Sequence, residues 1–333
     1  MLDLARKTIS FVIPCYKSEG SVGLVIDEIR NVVAQRPEYD YQIIAVNDCS
    51  PDGLLDVIRS YAADDYRVIA IDLAKNGGRH AALMCGCHFA TGDFIVFCDD
   101  DLQCPMDRLW DLLAPIVNDA SNGGGYDVSI ARYPKKKQSA WKNFGSKVND
   151  LVSTWLLNKD PELKFSNFSA MKRFVRDEVV KYTNPYPYLS GLMVSSTKRV
   201  CNVDMEERDR TIGEGNYSFK KSFSLWTNSF TSFSVKPLRL ATFCGFALAI
   251  VGIVFAIFVI VRKLLHPVIA IGYSSTMAAL LFIGGMIMVM LGLIGEYIGR
   301  IYISLNNSPQ FVIRDIYGNE PKALPHADEY KDD

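Results

Sequence analysis

Three consecutive carboxylates follow a short apolar segment, and their residue types suit a metal site. The sequence there reads FCDDDLQ, with Asp99, Asp100 and Asp101 followed by Gln103. Side chains two positions apart point to the same side of an extended chain, so Asp99, Asp101 and Gln103 share one face. Divalent cations such as Mg²⁺ or Mn²⁺ take oxygen ligands of this kind and offset the repulsion between adjacent carboxylates. The spacing predicts a divalent-metal site, and a solvated acidic turn is the alternative.

Three more polar loops each follow an apolar segment, and they read VIPCYKSEG, VNDCSPDG and NGGRH. In the second loop, Asp48 could accept hydrogen bonds from a base or a ribose, and we expect Asp52 or Ser50 to cap the next helix. The paired glycines of the third loop permit close approach of the backbone to a ligand. The sequence contains neither a G-x-G-x-x-G fingerprint nor a Walker loop, which argues against dinucleotides and ATP.

The elements that carry these loops alternate between strand and helix patterns. We predict strands at residues 9–13, 41–46, 67–73, 94–98 and 127–131, and helices at 20–34, 54–62, 79–90 and 108–117. This alternation is typical of a mostly parallel sheet with helices on both faces, whose sites lie at the carboxyl ends of the strands. Residues 133–235 are less regular, and residues 219–233 have the pattern of an amphipathic helix.

Composition changes sharply after residue 239. Residues 240–261 are 22 consecutive residues without a charge, and a second uncharged stretch follows at 264–295. A helix of the first length spans roughly 33 Å, enough for the hydrocarbon core of a bilayer. We therefore predict a transmembrane hairpin, with buried core helices as the alternative. The N-terminal segment has the pattern of a strand rather than a signal peptide, so we expect the catalytic part on the cytoplasmic face.

Charge and cysteine usage exclude other classes of function. The chain has 333 residues and a net charge of −1, without the basic surface expected of a nucleic-acid-binding protein. The eight cysteines lack zinc-site spacing, so we interpret them as buried, reduced thiols. The segment after Arg314 is polar, and we expect it to be a surface extension.

The order of the four loops resembles glycosyltransferase family 2. The later segments RTIGEGNYSFKK, SFSVKPLRL and GLIGEYIGRIYI resemble the polyprenyl-phosphate glycosyltransferases. That group includes dolichyl-phosphate mannose synthase, bactoprenol glucosyltransferases and undecaprenyl-phosphate aminoarabinose-type transferases. The resemblance covers residues 8–313. It implies an α/β fold with a GT-A type nucleotide-diphospho-sugar transferase domain at 1–215, a juxtamembrane segment at 216–238, a two-helix transmembrane hairpin at 239–300 and a cytosolic tail at 301–333.

The resemblance also implies roles for individual residues. The nucleotide sugar would be bound by Pro14, Tyr16, Glu19, Asp48, Asn76, Asp99 and Asp100, and the metal by Asp99, Asp101 and Gln103. Arg132 would bind the acceptor phosphate with Ser146 beside it, Arg210 would bind the donor phosphates, and Asp101, Arg132 and Arg210 would be the catalytic residues. Three positions depart from the family pattern: Asn47 replaces a common Asp, Asp100 a usual Ala, and Gly215 a usual Ser.

The implied reaction is metal-dependent, inverting transfer of a sugar from a UDP-linked donor to undecaprenyl or dolichyl phosphate, feeding cell-surface glycan or glycolipid modification. A phosphate monoester is largely ionised at neutral pH, so it can attack without a strong base. The resemblance further implies a multi-pass protein of the plasma membrane and a homotetramer. A processive polysaccharide synthase is one alternative, although the chain lacks a Q-x-x-R-W motif. A non-catalytic membrane scaffold for lipid-linked sugars is another.

Overall fold

The computed structural model describes residues 6–118, 125–134, 160–206, 208, 236–265, 273–306 and 308–318. These residues form two compact units. One contains the described residues up to 208 together with 308–318, and the other contains residues 236–306. The predicted amphipathic helix at 219–233 lies outside the described residues.

Strands and helices alternate through the first unit. The first half contains β1 (Lys7–Cys15), α1 (Val22–Ala34), β2 (Tyr39–Asn47), α2 (Leu54–Asp64), β3 (Val68–Leu73), α3 (Arg79–Phe89), β4 (Phe94–Phe97), α4 (Leu109–Val117) and β5 (Val128–Arg132). The remainder contains β6 (Ser169–Lys172), α5 (Arg173–Val179), α6 (Leu189–Ser196), β7 (Val200–Asp204) and β8 (Ile313–Tyr317). All nine elements predicted in the first half are confirmed, with ends that differ by a few residues.

The described strands form one eight-stranded sheet in the order β7-β5-β6-β4-β1-β2-β3-β8. Strands β4, β1, β2 and β3 are mutually parallel, whereas β6 pairs antiparallel with both β4 and β5. Every residue of β3 and β4 is buried, as expected where helices cover both faces of a parallel sheet. The predicted mostly parallel α/β sheet is therefore confirmed.

Helix α1 shows how the sequence pattern becomes packing. Its buried residues include Val22, Val25, Ile26, Ile29 and Val33, and their i, i+3, i+4, i+7 and i+11 spacing places them on one face of the helix. They join the hydrophobic core together with residues of β1 and β2. This packing fixes where β1 ends and α1 begins, and therefore the position of the loop between them.

The cysteines of the first unit are free thiols. Five of them are buried, namely Cys15, Cys85, Cys87, Cys98 and Cys104, while Cys49 and Cys201 are partly exposed. Burial raises the pKa of the Cys87 thiol to about 12. The five buried thiols act as small apolar core side chains, as predicted, whereas the partial exposure of Cys49 and Cys201 differs from the prediction.

The end of the chain differs from the expectation of a polar surface extension. Residues Ile313–Tyr317 form β8, which pairs antiparallel with β3 and extends the sheet by one strand. Arg314 and Asp315 are exposed, and the other three residues of the strand are partly exposed. An edge strand of this kind lacks the alternating apolar pattern by which strands are recognised in a sequence. The predicted tail at 301–333 therefore contains part of the sheet.

The second unit consists of two long helices, α7 (Lys236–Leu265) and α8 (Tyr273–Leu305). Among the described residues, one helical segment, Phe282–Leu305, is long and apolar enough to cross a membrane, and Ala241–Val254 is a shorter apolar segment. Exposed apolar side chains include Phe243, Met288 and Leu305, which are 72, 70 and 75% exposed. The apolar side chains of a buried core helix would instead be covered by the rest of the protein. That the chain crosses the membrane twice remains a prediction.

Candidate active site

The predicted site loops meet at one edge of the sheet. Strands β1, β2 and β4 run parallel, with Cys15 opposite Asn47 and Val12 opposite Phe97. Strand β5 is antiparallel to β6, which is itself antiparallel to β4, so β5 runs in the same direction as β4. The carboxyl ends of all four strands therefore lie at the same edge, where sites of open α/β sheets are found.

Asp100 joins the loop after β4 to the loop after β1. The backbone N–H of Tyr16 donates to Oδ2 of Asp100 at 3.0 Å, and the Ser21 hydroxyl donates to the Asp100 carbonyl at 2.6 Å. Burial raises the pKa of the Asp100 carboxyl to about 6, and the neighbouring charges of Asp99 and Asp101 add to this effect. The carboxylate that departs from the family pattern thus connects two site loops.

The loops after β1 and β2 are also bonded to each other. The backbone N–H of Gly53 donates to Oε2 of Glu19 at 3.0 Å, and the N–H of Glu19 donates to Oδ2 of Asp52 at 3.2 Å. The N–H of Lys17 donates to the Ser50 hydroxyl at 2.8 Å. The expectation that Asp52 or Ser50 caps α2 is corrected, because the N-cap is Gly53 and these side chains bind the neighbouring loop instead.

Asp48 fastens the glycine loop that precedes α3. Its two carboxylate oxygens accept from the backbone N–H groups of Gly77 at 2.7 Å and Gly78 at 2.9 Å, and the Asn76 amide donates to the Asp48 carbonyl at 2.9 Å. Gly78 has a φ of 82°, which a glycine adopts without strain. Burial raises the pKa of Asp48, while the two N–H donors act in the opposite direction. The predicted nucleotide-binding residues Asp48 and Asn76 therefore form one rigid corner.

The contacts of Asn47 explain why an amide, rather than the common Asp, occupies this position. Its amide nitrogen donates to Oδ1 of Asp72 at 2.7 Å, and its amide oxygen accepts from the N–H of Ser50 at 3.0 Å. Asn47 and Asp72 are 3% and 1% exposed. A buried carboxylate needs a donor rather than a second carboxylate. Asn at position 47 supplies that donor.

Asp99 is held on both sides by residues that the motif did not identify. Nε of Arg79 donates to its Oδ1 at 2.9 Å, and the Asn167 amide donates to its Oδ2 at 2.5 Å. Oδ1 of Asp101 accepts from the backbone N–H of Gln103 at 3.2 Å. Within the part of the chain that the structure describes, no group of three or more His, Cys, Asp or Glu side chains is placed to hold a metal ion.

The predicted metal ligands are two carboxylates and the amide of Gln103, and an amide is not among those four residue types. Their oxygen atoms have the chemistry that Mg²⁺ or Mn²⁺ requires, and each carboxylate oxygen has lone pairs beyond the bonds described. The donor set therefore fits a hard divalent cation. The assignment of Asp99, Asp101 and Gln103 as ligands remains a prediction.

Three residues of the site loops have left-handed backbone conformations. Lys17, Cys49 and Leu102 have φ values of 58°, 52° and 63°, and each follows one of the strands β1, β2 and β4. Such conformations are costly for side-chain-bearing residues and concentrate at functional sites, where surrounding contacts maintain them. The loop-to-loop hydrogen bonds supply those contacts here.

His80, the second residue of α3, is neutral at physiological pH. Its ring packs edge-on against Tyr188 with 5.1 Å between centroids, and the buried Nδ1 has no hydrogen-bond partner among the described residues. Burial lowers the pKa of His80 to about 3, and the adjacent Arg79 charge acts in the same direction. His80 is thus an uncharged packing residue beside the glycine corner.

Arg132 is the last residue of β5 and lies at the same edge of the sheet. Its Nε and Nη2 atoms form a forked ion pair with the two oxygens of Asp204, at 2.5 and 2.8 Å. This pair lowers the pKa of Asp204. A forked guanidinium also matches a phosphate, which could exchange with the carboxylate. The predicted residues Ser146 and Arg210 lie outside the described residues.

Sequence reasoning missed several residues that build this edge. Arg79 lies within the quoted NGGRH segment, so its proximity to the acidic loop could have been inferred from the parallel strand order. Asn167 precedes β6, Asp204 ends β7 and Arg314 lies in β8, so all three are far from the motifs in sequence. No local signal identifies them, because their contacts depend on strand order.

Comparisons with known proteins cover nearly the whole chain. Residues 10–177 match the family model Glycosyl transferase family 2, and residues 236–301 match the model GtrB C-terminal hairpin. Undecaprenyl-phosphate 4-deoxy-4-formamido-L-arabinose transferase of Proteus mirabilis (strain HI4320) is 29% identical over 93% of this chain and 94% of its own length. The SfII prophage-derived bactoprenol glucosyl transferase of Shigella flexneri is 26% identical over 94% of this chain and 99% of its own length.

A further relative and one solved structure are also similar. The uncharacterized glycosyltransferase YkcC of Bacillus subtilis (strain 168) is 29% identical over 95% of this chain and 96% of its own length. The structure of glucosyl-3-phosphoglycerate synthase from Mycobacterium tuberculosis with Mn²⁺, UDP-glucose and phosphoglyceric acid has 17% identity and a TM-score of 0.48, covering 66% of this chain and 76% of that one. The family matches confirm the resemblance seen in the motif order.

Proposed function

The chain belongs to glycosyl transferase family 2, and from this premise we propose that it transfers a sugar from a nucleotide-sugar donor to a polyprenyl phosphate. The observation that carries the proposal is the edge of the sheet where Asp99 and Asp101 lie at the end of β4 and Arg132 lies at the end of β5. Oxygen ligands for a cation and an arginine for an anion are what a diphosphate donor and a phosphate acceptor require.

The acceptor is a lipid phosphate, undecaprenyl or dolichyl phosphate. Two relatives that align along nearly the full chain carry undecaprenyl-phosphate or bactoprenol in their names. Residues 236–301 match a hairpin model, and the apolar segment Phe282–Leu305 has the length and composition of a membrane span. A long isoprenoid stays in the bilayer, so an enzyme acting on it benefits from its own anchor. Both helices cross the plasma membrane, and the catalytic unit faces the cytoplasm.

The donor is a UDP-linked sugar, bound at the corner formed by Asp48, Asn76 and the loop after β1. Pro14, Tyr16 and Glu19 come from that loop and from the end of β1. Asp99, Asp101 and Gln103 would hold Mg²⁺ or Mn²⁺, which supplies neutralising charge to the donor diphosphate when bound. Arg210 contributes a second positive charge to the same phosphates.

The residues present suit direct displacement at the anomeric carbon. The acceptor phosphate, with a second pKa near 6, is largely ionised and needs no strong base. Arg132 orients that phosphate by exchanging its bonds to Asp204 for bonds to phosphate oxygens, and the family resemblance implies that Ser146 assists it. Attack from the face opposite the leaving nucleoside diphosphate inverts the anomeric configuration. The chain acts as a homotetramer.

The test uses membranes containing the full-length chain, incubated with a panel of radiolabelled sugar nucleotides and with polyprenyl phosphate. We expect label in a small, organic-extractable lipid whose anomeric configuration is inverted relative to the donor. Label in a polymer would indicate a processive synthase, and the absence of label across the panel would indicate a scaffold; either result overturns the proposal.

Asp101→Ala tests the site itself, because it removes one proposed metal ligand. We expect it to abolish transfer. Asp56→Ala is the matched control, since this side chain is 83% exposed near the start of α2 and we expect full activity. Wild-type turnover by Asp101→Ala in metal-containing buffer would contradict the assignment.

A further inference from the structure

The segment that follows α8 returns to the sheet and contacts the candidate donor side. Strand β8 pairs with β3 with Ile316 opposite Ile71, and the backbone N–H of Ala74 donates to the Val312 carbonyl at 2.8 Å. The Gln310 side-chain amide donates to the backbone carbonyls of Tyr182 and Asn184, between α5 and α6, at 2.6 and 2.8 Å. The segment is therefore bonded in place at more than one point.

Arg314 supplies the charge that balances a buried carboxylate. Its Nη1 donates to Oδ2 of Asp72 at 3.2 Å, and its Nη2 donates to the Ala74 carbonyl at 3.2 Å. The Asp72 side chain is 2% exposed. In the described part of the chain, Arg314 is the cation paired with Asp72. Arg314 is itself 54% exposed, so Asp72 is the buried partner of the pair. Removing the arginine leaves a buried carboxylate without its cation, which is unfavourable.

The other oxygen of Asp72 leads directly to the nucleotide corner. It accepts from the amide of Asn47, which precedes Asp48 in the chain. Asp48 in turn binds the N–H groups of Gly77 and Gly78. The backbone of the returning segment is close to the same loop, because a methyl group built on Gly77 would lie 3.5 Å from the Gln310 carbonyl. A continuous set of contacts thus runs from Arg314 to the glycine loop.

We propose that Arg314, carried on the C-terminal strand β8, is a positioning residue for the nucleotide-sugar donor. By neutralising Asp72 it keeps Asn47, Asp48 and the loop at residues 74–78 in the geometry that receives the nucleotide. The proposal rests on the proposed function for its kinetic consequences. Its structural part, the ordering of the glycine loop by the end of the chain, stands independently.

The experiment compares the full-length wild-type protein with four variants in the same detergent or membrane preparation. Arg314→Met removes the charge and keeps much of the side-chain volume, and Arg314→Lys keeps the charge but not the fork. Asp315→Asn is the control, because Asp315 is exposed, adjacent to Arg314 and opposite Asp72 in the register of β8 and β3, and its replacement removes a negative charge near Asp72 while keeping the cation. Arg314→Met combined with Asp72→Asn removes the cation together with the carboxylate that needs it.

Two readouts distinguish positioning from general support of the fold. Hydrogen exchange of peptides covering residues 74–80 reports on the glycine loop without any ligand, and kinetics report KM for donor and acceptor separately. For Arg314→Met we expect the rate of hydrogen exchange in this peptide and the KM for the donor each to rise about tenfold. The KM for the acceptor should stay within about twofold of the wild-type value. Arg314→Lys and the double variant should lie between Arg314→Met and the wild type, and Asp315→Asn should match the wild type.

Three outcomes would overturn the inference: unchanged exchange at residues 74–80 in Arg314→Met, an equal effect of Asp315→Asn, or equal increases in donor and acceptor KM. If Arg314→Met does not fold, the same comparison is made with Arg314→Lys and the double variant. If the wild-type protein transfers no sugar, the proposed function fails, whereas the exchange comparison still decides whether Arg314 orders the loop.

Discussion

Replacing Asn47 with Asp, the residue common at this position in the family, should destabilise this particular chain. The Asn47 amide donates to Asp72 across 2.7 Å in a buried setting, where Asn47 and Asp72 are 3% and 1% exposed. Asn47→Asp exchanges the donor for a second carboxylate. Arg314 balances only one of the two negative charges. Two carboxylates at this distance cannot both remain ionised without a large cost, so the pair should bind one proton.

The cost can be estimated from that proton. Protonating a carboxyl group with an ordinary pKa near 3.9 at pH 7 takes about three pKa units, or roughly 4 kcal/mol. Once protonated, one carboxyl donates a hydrogen bond to the other, so the cost should not rise much further. At pH 5 the same reasoning gives about 1.5 kcal/mol. Since the folded variant binds one more proton than the unfolded chain, its stability falls as pH rises from 5 to 7.

Thermal unfolding followed by intrinsic tryptophan fluorescence measures this effect, and Trp110 packs against Tyr39 with 5.1 Å between ring centroids. For a folded unit of this size, 1 kcal/mol shifts Tm by about 2 to 4 °C, so we expect a decrease of roughly 8 to 16 °C at pH 7. At pH 5 the decrease should shrink to about 3 to 6 °C.

Asn47→Ala is the control for this prediction, because it loses the donor without adding a charge. The decrease in Tm caused by Asn47→Ala should be similar at pH 7 and pH 5, whereas the decrease caused by Asn47→Asp should be smaller at pH 5. Equal behaviour of the two variants at both pH values would refute the reasoning, and so would a wild-type Tm for Asn47→Asp at pH 7.

Three further predictions follow from other contacts. Arg132→Lys keeps the charge but loses the fork, so KM for the lipid phosphate should rise about tenfold while donor KM stays constant in steady-state kinetics. Because burial lowers the pKa of His80 to about 3, the unfolded chain binds more protons below pH 6.5, and stability should fall by roughly 2 kcal/mol between pH 7 and pH 5. His80→Asn should lose that part of the slope in thermal unfolding. Gly78→Ala places a side chain at a φ of 82°, so it should cost about 1 to 2 kcal/mol of stability and weaken binding of the donor in calorimetric titration.

Much of the first unit could be predicted because its elements are locally encoded. The apolar residues of α1 recur at helical spacing, and each of the strands β1 to β4 contains a run of at least four buried residues that ends at a polar loop. Alternation of the two patterns implies parallel strands, and parallel strands place their carboxyl ends together. The sequence thus predicted which loops lie close together, although it did not predict which groups form hydrogen bonds between them.

The contacts between loops could not be predicted, since they join residues far apart in the chain. Asp100 bonds to the Tyr16 N–H, 84 positions away, and Arg314 bonds to Asp72 across 242 positions. Strand β8 also escaped recognition because it is short, charged and largely exposed at the edge of the sheet. Its pairing with β3 is determined by the unsatisfied edge of that strand rather than by its own composition.

The family, the alternation of strands and helices, the acidic loop and the apolar C-terminal segments can all be recognised in the chain, because each depends on neighbouring residues and on their periodicity. The fold is needed to show that Asp99 is held by Arg79 and Asn167, that Asn47 donates to Asp72, and that the C-terminal strand extends the sheet. Burial accounts for this difference. A carboxylate removed from water must find a donor or a cation, and which residue supplies it depends on what the fold brings within hydrogen-bond distance.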